Sequence, residues 1–432
     1  MDGFLPTFLR RRQIPPPSGE TRFDQPANLY LHPSQVIVPL QDGPGMPFQC
    51  LVKAKEEVKA GQKIGEKGTA PFPIFVHAPI SGKVREIETH PVPQGFYSMC
   101  VVIEGEGNED EVQKICSSRP EKKVETLQHA GIPLPYEKLT EGKVDVLIVN
   151  ATEFEPNITI HHNLLWEKFP QIDFGLNALL EIFAIPKGII CLEKEQRQFW
   201  QDLLNKVGNK EKITIQGVSR SYPPTGLNFL AKEVWGKKNG LSAERVGFVE
   251  LVDLWAVARA LQEGFPFIER PLTVSGSGIP QPQNLIVRIG TTFAEVIKFC
   301  GGRIENITQI VMGGALMGIS QPSPEVPVGQ RTAGIWALIS LNLAKGHQSK
   351  MYQEGPCVRC AKCVDSCPAN IAPNIIAGYA RKKMMAEAMA KGLFLCVDCG
   401  LCSYVCPARI PLAQILKEAK ARKPISGEAS LQ

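Results

Sequence analysis

Eight of the chain's 13 cysteines fall between Cys357 and Cys406. Cys357, Cys360, Cys363 and Cys367 spell C-x2-C-x2-C-x3-C-P, and Cys396, Cys399, Cys402 and Cys406 repeat that spacing without a shift. Soft thiolates suit iron–sulfur clusters, and three of them at x2-x2 spacing wrap one face of a [4Fe–4S] cube. The fourth, placed before proline, reaches the other cube. The expected ligand sets are therefore Cys357, Cys360, Cys363 and Cys406 for cluster 1, and Cys396, Cys399, Cys402 and Cys367 for cluster 2. Zinc is the competing chemistry, but four-cysteine zinc sites commonly use two C-x2-C pairs separated by a longer loop. Two cubes carry one electron each and do no acid–base work, so the module reads as a relay between a donor and an acceptor.

Elsewhere in the chain, Cys50, Cys100, Cys116, Cys191 and Cys300 stand singly and are expected as small buried core residues. Crowding of the others into one segment argues against a disulfide framework. A length of 432 residues suggests about three domains, and 44% apolar with 21% charged residues excludes wholesale disorder. A formal charge of +5 is weak for this length and does not indicate nucleic-acid binding. No apolar stretch reaches the ~18–20 residues needed to span a bilayer, and MDGFLPTFLRRR does not read as a secretory signal. The expected location is cytoplasmic, with peripheral docking at a membrane through partner subunits left open.

Residues 1–30 read as an extended, Pro- and Arg-rich arm. Residues 31–115 alternate short strands with Gly turns, as in VKAKEEVKAGQKIGEKG (52–68) and IFVHAPISGKVREIE (74–88). This pattern resembles the barrel-sandwich hybrid of biotinyl and lipoyl carrier domains. The turn that would carry their cofactor reads Thr69-Ala70-Pro71 and has no lysine, so the module is expected to be scaffold. Residues 120–264 alternate buried strands (143–151, 187–193, 212–218) with helices (175–185, and 250–264 closed by Gly264), the signature of a Rossmann-like α/β domain. Residues 265–345 suggest a β-grasp module with a helix from about Thr292 to Cys300, N-capped by Thr291 or Thr292 with Glu295 in its first turn. In the cluster module, 350–422, a helical stretch at 374–392 separates the two cysteine runs, and an amphipathic helix closes it. Residues 423–432 are expected to be a disordered tail.

The order of these modules resembles the RnfC family, the NADH-facing subunit of ion-translocating Rnf complexes. The resemblance rests on VPLQDGPGMPFQCLVKAKEEVKAGQKIGE with VHAPISGKVREIE, on LIVNATEFEPNIT (147–159), on TVSGSGIPQPQNLIVRIGT with VMGGALMG, which are similar to an SLBB-type β-grasp, and on the double ferredoxin run closing in CSYVCPARIPLAQ. It implies an α/β domain that binds FMN and NADH through three segments: a G-x-G-G-A-G-F-P loop, an E-C-E-P loop and a Y-P-x-G-G-E-K-Q segment. Glycines there let backbone N–H groups approach phosphate and flavin.

Two of the three segments depart from that pattern. The first reads His129-Ala130-Gly131-Ile132-Pro133-Leu134-Pro135-Tyr136, with the glycine cluster gone and two prolines that donate no N–H. The third reads Tyr222-Pro223-Pro224-Thr225-Gly226-Leu227-Asn228-Phe229. The middle one keeps Asn150, Glu153 and Glu155, but has Phe154 for Cys and Asn157 for Tyr. The expectation is a divergent member whose FMN/NADH site is degenerate, with Glu153 and Glu155 capping the helix that starts near Ile158. FMN is not the favoured cofactor; two [4Fe–4S] clusters are.

The favoured function is an iron–sulfur electron-transfer subunit of a larger oxidoreductase, serving a flavoprotein or reductase partner. The alternative is an FMN-containing NADH dehydrogenase subunit feeding ferredoxin, an Rnf-type membrane partner or a soluble reductase; a scaffold or sensor whose clusters do not turn over is the third. His161-His162 is expected not to bind metal, Gly276-Ser277-Gly278 to be a turn, and Met312, Met317, Met384, Met385 and Met389 to pack in the core or on helices.

Overall fold

The structure is a computed structural model that describes residues 30–41, 46–68, 73–93, 95–105, 111–115, 122–153, 155, 157–194, 197–218, 230–231, 234, 245–339 and 354–421. The expected N-terminal arm, Thr69-Ala70-Pro71, Cys116, Phe154, the 222–229 segment and the tail lie outside the described residues. The chain divides into two compact units, one within 16–219 and 231–340, the other described over 354–421.

The first unit opens with β1 (Tyr30–Leu31) and a two-sheet sandwich. Its strands are β2 (Gln35–Pro39), β3 (Gln49–Cys50), β4 (Glu57–Val58), β5 (Lys63–Lys67), β6 (Ile74–His77), β7 (Gly82–Pro91) and β8 (Tyr97–Glu104). The sheets run β2-β8-β7-β4 and β3-β5-β6. Val36, Val38, Ile64, Val84, Val101 and Ile103 fill the space between them at no more than 1% exposure. Strand β8 alternates only at its start, where Tyr97 and Met99 are exposed and Ser98 is buried; Cys100–Ile103 are buried on both faces, Val101 and Ile103 in the sandwich core and Cys100 and Val102 against Ile37 and Val92.

Next come α1 (Lys123–His129), α2 (Tyr136–Thr140), β9 (Val146–Asn150), α3 (Ile160–Glu167), α4 (Phe169–Ile182), β10 (Lys187–Glu193), α5 (Arg197–Lys206), β11 (Ile213–Val218), β12 (Val246–Glu250) and α6 (Leu251–Glu263). The four strands are parallel in the order β11-β10-β9-β12. Every residue of β9 is buried, as a central parallel strand covered on both faces requires. Helix α6 ends at Gly264 in the left-handed region (φ 67°). Helices α4 and α6 approach closely because Gly175 has no Cβ; one there would lie 2.2 Å from the Leu254 carbonyl oxygen.

The unit finishes with β13 (Glu269–Ser275), β14 (Gln283–Arg288), α7 (Phe293–Phe299), β15 (Ile307–Met312), β16 (Ile319–Ser320) and β17 (Gly334–Ile339). Their sheet runs β1-β14-β13-β17-β15-β16, so the chain's first described strand closes its edge. Phe293, Val296 and Ile297 of α7 pack into its core. Thr292 is the N-cap, accepting the Glu295 N–H at 3.2 Å. Residues 276–278 form a bend and turn.

The second unit holds α8 (Lys362–Asp365), α9 (Pro373–Arg381), α10 (Met385–Ala390), α11 (Leu401–Tyr404) and α12 (Leu412–Ala421). The expected single helical stretch over 374–392 is two helices, broken where Lys383 takes φ 59°. Apolar spacing continues across that break, which is why periodicity alone runs the helices together. Met384 and Met389 are exposed at 37% and 38%, contrary to the packing expected of them. Cys100, Cys191 and Cys300 are buried as expected, whereas Cys50 is half-buried at the end of the short strand β3. Among the described residues no helix is long and apolar enough to cross a membrane.

Candidate functional site

The cysteine module is a backbone repeat in which Cys396 follows Cys357 by 39 positions. Arg359 (φ 54°), Ala361 (59°) and Asn370 (53°) are left-handed in the first copy. Asp398 (55°), Gly400 (77°) and Arg409 (56°) are left-handed at the matching places in the second. Each non-glycine residue in that region costs roughly 1–2 kcal/mol, so the recurrence marks geometry imposed by the surrounding structure. The hydrogen bonds repeat as well. Val364 and Ser403 donate N–H to the Ala361 and Gly400 carbonyls at 2.8 and 3.0 Å, and Cys367 and Cys406 donate to Val364 and Ser403 at 3.0 and 3.2 Å. These reversals bring three cysteines of each run to one cavity and send the fourth to the other.

One cavity is lined by Cys357, Cys360, Cys363 and Cys406. The second is lined by Cys396, Cys399, Cys402 and Cys367. The structure thus gathers the sequence-derived sets in two places. Among the described residues no three His, Cys, Asp or Glu side chains converge on a point fit for one ion. Zinc needs four donors about 2–2.3 Å from a single point. Burial, then the neighbouring thiols, pushes Cys399 up to about 11 and Cys402 up to about 12, and burial raises Cys363 and Cys396 too. Ionising such a ring needs compensating positive charge, which a metal cluster supplies.

In the α/β domain, Asn150, Glu193 and Glu250 stand at the carboxyl ends of β9, β10 and β12, the edge at which open parallel sheets place ligands. Asn150 closes β9 with an Asx turn, its Oδ1 accepting the Thr152 N–H at 3.1 Å. Glu153 Oε1 accepts the His162 N–H at 2.9 Å in the first turn of α3, so Glu153 caps that helix as expected. Glu155 does not. Its carboxyl oxygens accept the Leu316 and Met317 N–H groups at 2.9 and 2.5 Å. The correction has a steric reason: Gly314 leaves room for the Glu155 side chain, and a Cβ there would meet Glu155 Cβ and Cγ at 2.2 Å. Asn157 joins the same staple, accepting the Ala315 N–H at 3.1 Å and donating to Ser275 Oγ at 3.2 Å.

Sequence reasoning missed the charges around this loop. Glu193 accepts the Glu153 N–H at 2.8 Å. Arg270, buried, donates to the Thr332 and Gln330 carbonyls and to Glu250. Arg288 and Arg259 both pair with buried Glu269. Burial, with Glu193 adding to it, raises Glu153 well above the ordinary carboxylate range. Burial followed by Glu250 raises Asp253 to about 7. Burial also works to raise Glu250, but Arg270 and Arg331 outweigh it and hold Glu250 low. The available signal was an acidic residue closing an apolar run, as in KGIICLE and GFVE. His161 is buried, with Nδ1 3.1 Å from the Thr152 carbonyl oxygen, and burial lowers its pKa.

The segment standing in place of the glycine-rich loop is packed and hydrogen-bonded internally. Ala130, Gly131, Ile132, Leu134 and Tyr136 donate their N–H groups to the carbonyls of Thr126, Gln128, Leu127, Ile132 and Leu134, at 2.9–3.3 Å. Pro133 and Pro135 have none to give. Ile132, Leu134 and Tyr136 lie in the domain core, and the Tyr136 hydroxyl donates back to the Ile132 carbonyl.

Four family models match along the chain: the RnfC barrel sandwich hybrid domain over 14–108, the Nuo51 FMN-binding domain over 129–251, the SLBB domain over 271–320 and the 4Fe-4S dicluster domain over 354–410. The class is therefore a mixed α/β multidomain protein ending in an iron–sulfur dicluster module. The C subunit of the proton-translocating ferredoxin:NAD(+) oxidoreductase complex of Clostridium ljungdahlii is 29% identical, covering 84% of this chain and 82% of that one. Its counterpart in the Na(+)-translocating complex of Acetobacterium woodii is 28% identical, covering 86% of each. The C subunit of the ion-translocating oxidoreductase complex of Serratia proteamaculans is 31% identical over 92% of this chain and 59% of its own length. The chain is RnfC-like.

Proposed function

We propose that this chain is an iron–sulfur relay subunit of an Rnf-type ferredoxin:NAD oxidoreductase complex whose own FMN/NADH site has been lost. Cys357, Cys360, Cys363 and Cys406 hold one [4Fe–4S] cluster; Cys396, Cys399, Cys402 and Cys367 hold the other. Each cluster, when bound, takes up or gives one electron. The chain's contribution is to fix the eight thiolates, to bring the two centres together through the crossed fourth cysteines, and to tune them through burial and charge. The modules at 31–115, 120–264 and 265–345 act as the platform on which partner subunits assemble, on the cytoplasmic side of the membrane.

The observation that carries the loss of the flavin site is the segment Ala130–Tyr136. Its N–H groups are already engaged with carbonyls of α1 and of the segment itself, so none is free to cradle a phosphate. Both carboxylate oxygens of Glu155, and Oε1 of Glu153, are likewise engaged within the fold. The test is anaerobic purification followed by iron and acid-released flavin per chain, then addition of NADH. About eight irons, no flavin and no NADH-driven bleaching are expected. Near-stoichiometric FMN with bleaching by NADH would overturn the proposal and make the chain an NADH dehydrogenase subunit, the reading its match to an FMN-binding domain favours.

A further inference from the structure

The two cysteine loops share a backbone but not a surface. In the first, residues 356–362 are all exposed, including Cys357 and Cys360 themselves. In the second, the matching residues 395–401 expose Leu395 and Val397, whereas Cys396 and Asp398 are half-buried and Cys399, Gly400 and Leu401 are buried. Charge differs at matched positions. Arg359 lines the first cavity where Asp398 lines the second, and Lys362 stands where the second loop has Leu401. Asp398 is neutralised by Lys420, whose Nζ donates to both carboxylate oxygens at 2.9 Å. The residue matching Lys420 is Arg381, which turns to Glu354 in a two-pronged ion pair at 2.5 and 2.7 Å. Arg359 and Lys362 are therefore left without a salt bridge among the described residues. The acid on the same loop is Asp365 at the end of α8, leaving a net positive rim. At its centre Val358 is 63% exposed beside the first cysteine.

An apolar centre within a cationic rim, over thiolates that reach the surface, fits a transient and electrostatically steered encounter. We infer that residues 356–362 are the docking face for an acidic one-electron carrier protein, and that cluster 1 is the centre exchanging electrons with it. This rests on the relay reading above. One electron leaves the reduced carrier and enters the oxidised centre held by Cys357, Cys360, Cys363 and Cys406; the carrier is oxidised by one, the centre reduced by one, and no bond or proton moves. Cluster 2, whose Cys399–Cys402 stretch is buried and whose Asp398 is paired with Lys420, offers that carrier no unpaired cation.

The experiment uses the full chain with its iron, an acidic flavodoxin hydroquinone as carrier, basic cytochrome c as opposite-charge control and dithionite as a small reductant. Complex formation with oxidised flavodoxin is followed separately by line broadening of its NMR signals. With wild type, flavodoxin association and cluster bleaching are expected to slow as salt rises, while cytochrome c shows no such attraction. The double variant Arg359→Asp, Lys362→Glu should lower the flavodoxin on-rate about tenfold or more at low salt and flatten its salt dependence. The pair Lys382→Glu, Lys383→Glu, exposed on the same module, should change it little. Equal loss in both pairs, or no salt dependence in wild type, overturns the docking face. If the double variant loses iron, the wild-type salt dependence and the NMR titration decide alone. Centres that dithionite cannot reduce would instead sink the relay reading itself.

Discussion

The cysteine module and the FMN-type α/β domain both keep their fold, but they treat their polar atoms in opposite ways. In the module, left-handed residues recur at 359, 361 and 370 and again at 398, 400 and 409, and the result is two cavities each ringed by four thiols. In the α/β domain, the stretch from Ala130 to Tyr136 satisfies its own backbone, and Glu155 and Asn157 hold the 315–317 loop. A ligand site needs groups that folding leaves unsatisfied. The first region retains them at a cost in backbone strain; in the second, the 130–136 backbone and the Glu155 and Asn157 side chains are spent on internal hydrogen bonds. That contrast is the physical basis for proposing electron transfer for one region and a structural role for the other.

The largest expected effect breaks the first region. Cys406→Ser should lower iron from about eight to about four per chain by removing the cluster held with Cys357, Cys360 and Cys363. Its residual low-temperature EPR spectrum should match that of Cys357→Ser and differ from that of Cys396→Ser. A match to Cys396→Ser would mean that each run holds its own cluster. In the second region, Glu155→Ala should leave the Leu316 and Met317 N–H groups without their acceptor. Two such losses cost about 3 kcal/mol, read as a drop in thermal midpoint with iron content retained. An unchanged midpoint would show that the staple contributes nothing.

Much of this contrast was legible in the sequence, for different reasons in each region. Cysteine spacing is local, so C-x2-C-x2-C-x3-C-P predicts which thiols share a cavity, including the crossed fourth cysteine. Strand β10 was read residue for residue as KGIICLE, because a buried parallel strand is a continuous apolar run. The end of α6 at Gly264 was equally plain. The destination of Glu155 was not: its partners lie 161 and 162 positions away, and nothing in EFEPN says that a glycine at 314 opens a path to them. The pairing of Arg381 with Glu354 and of Lys420 with Asp398 was hidden for the same reason. Charges on helices read as solvated faces until the fold shows which carboxylate each one meets.

A smaller effect tests the charge balance at the carboxyl end of the α/β sheet. Asp253 lies in the first turn of α6, where its side chain accepts the Glu250 N–H. Burial and then Glu250 raise its pKa from 3.8 to about 7. A carboxyl raised in the fold binds a proton there that the unfolded chain releases, so stability falls as pH rises from about 4 to about 7 and levels off above. Asp253→Asn keeps an oxygen for the Glu250 N–H and removes the titration. The variant should gain about 2 kcal/mol relative to wild type between pH 5 and pH 8, measured by thermal unfolding with cluster absorbance monitored alongside. Parallel pH profiles for the two proteins would show that Asp253 does not titrate in this range.

The smallest effect sharpens the comparison within the cysteine module, where two loops of one backbone differ in charge. Positive charge and solvent access near a cluster favour its reduced, more negative state. Arg359 and Lys362 flank the exposed loop, whereas Asp398 faces the other cavity and is paired with Lys420. Cluster 1 is therefore expected at the higher midpoint potential. Replacing Arg359 by Asp gives the first loop the residue that the second carries at the same left-handed position, so the backbone has a precedent for the change. A surface charge effect of about 1 kcal/mol corresponds to about 40 mV for one electron, and the midpoint of cluster 1 should fall by that order while cluster 2 holds. Potentiometric EPR titration reads both centres at once. A shift confined to cluster 2 would reverse the assignment of the cavities, and equal shifts in both would mean that the charge acts through the whole module rather than through the loop that bears it.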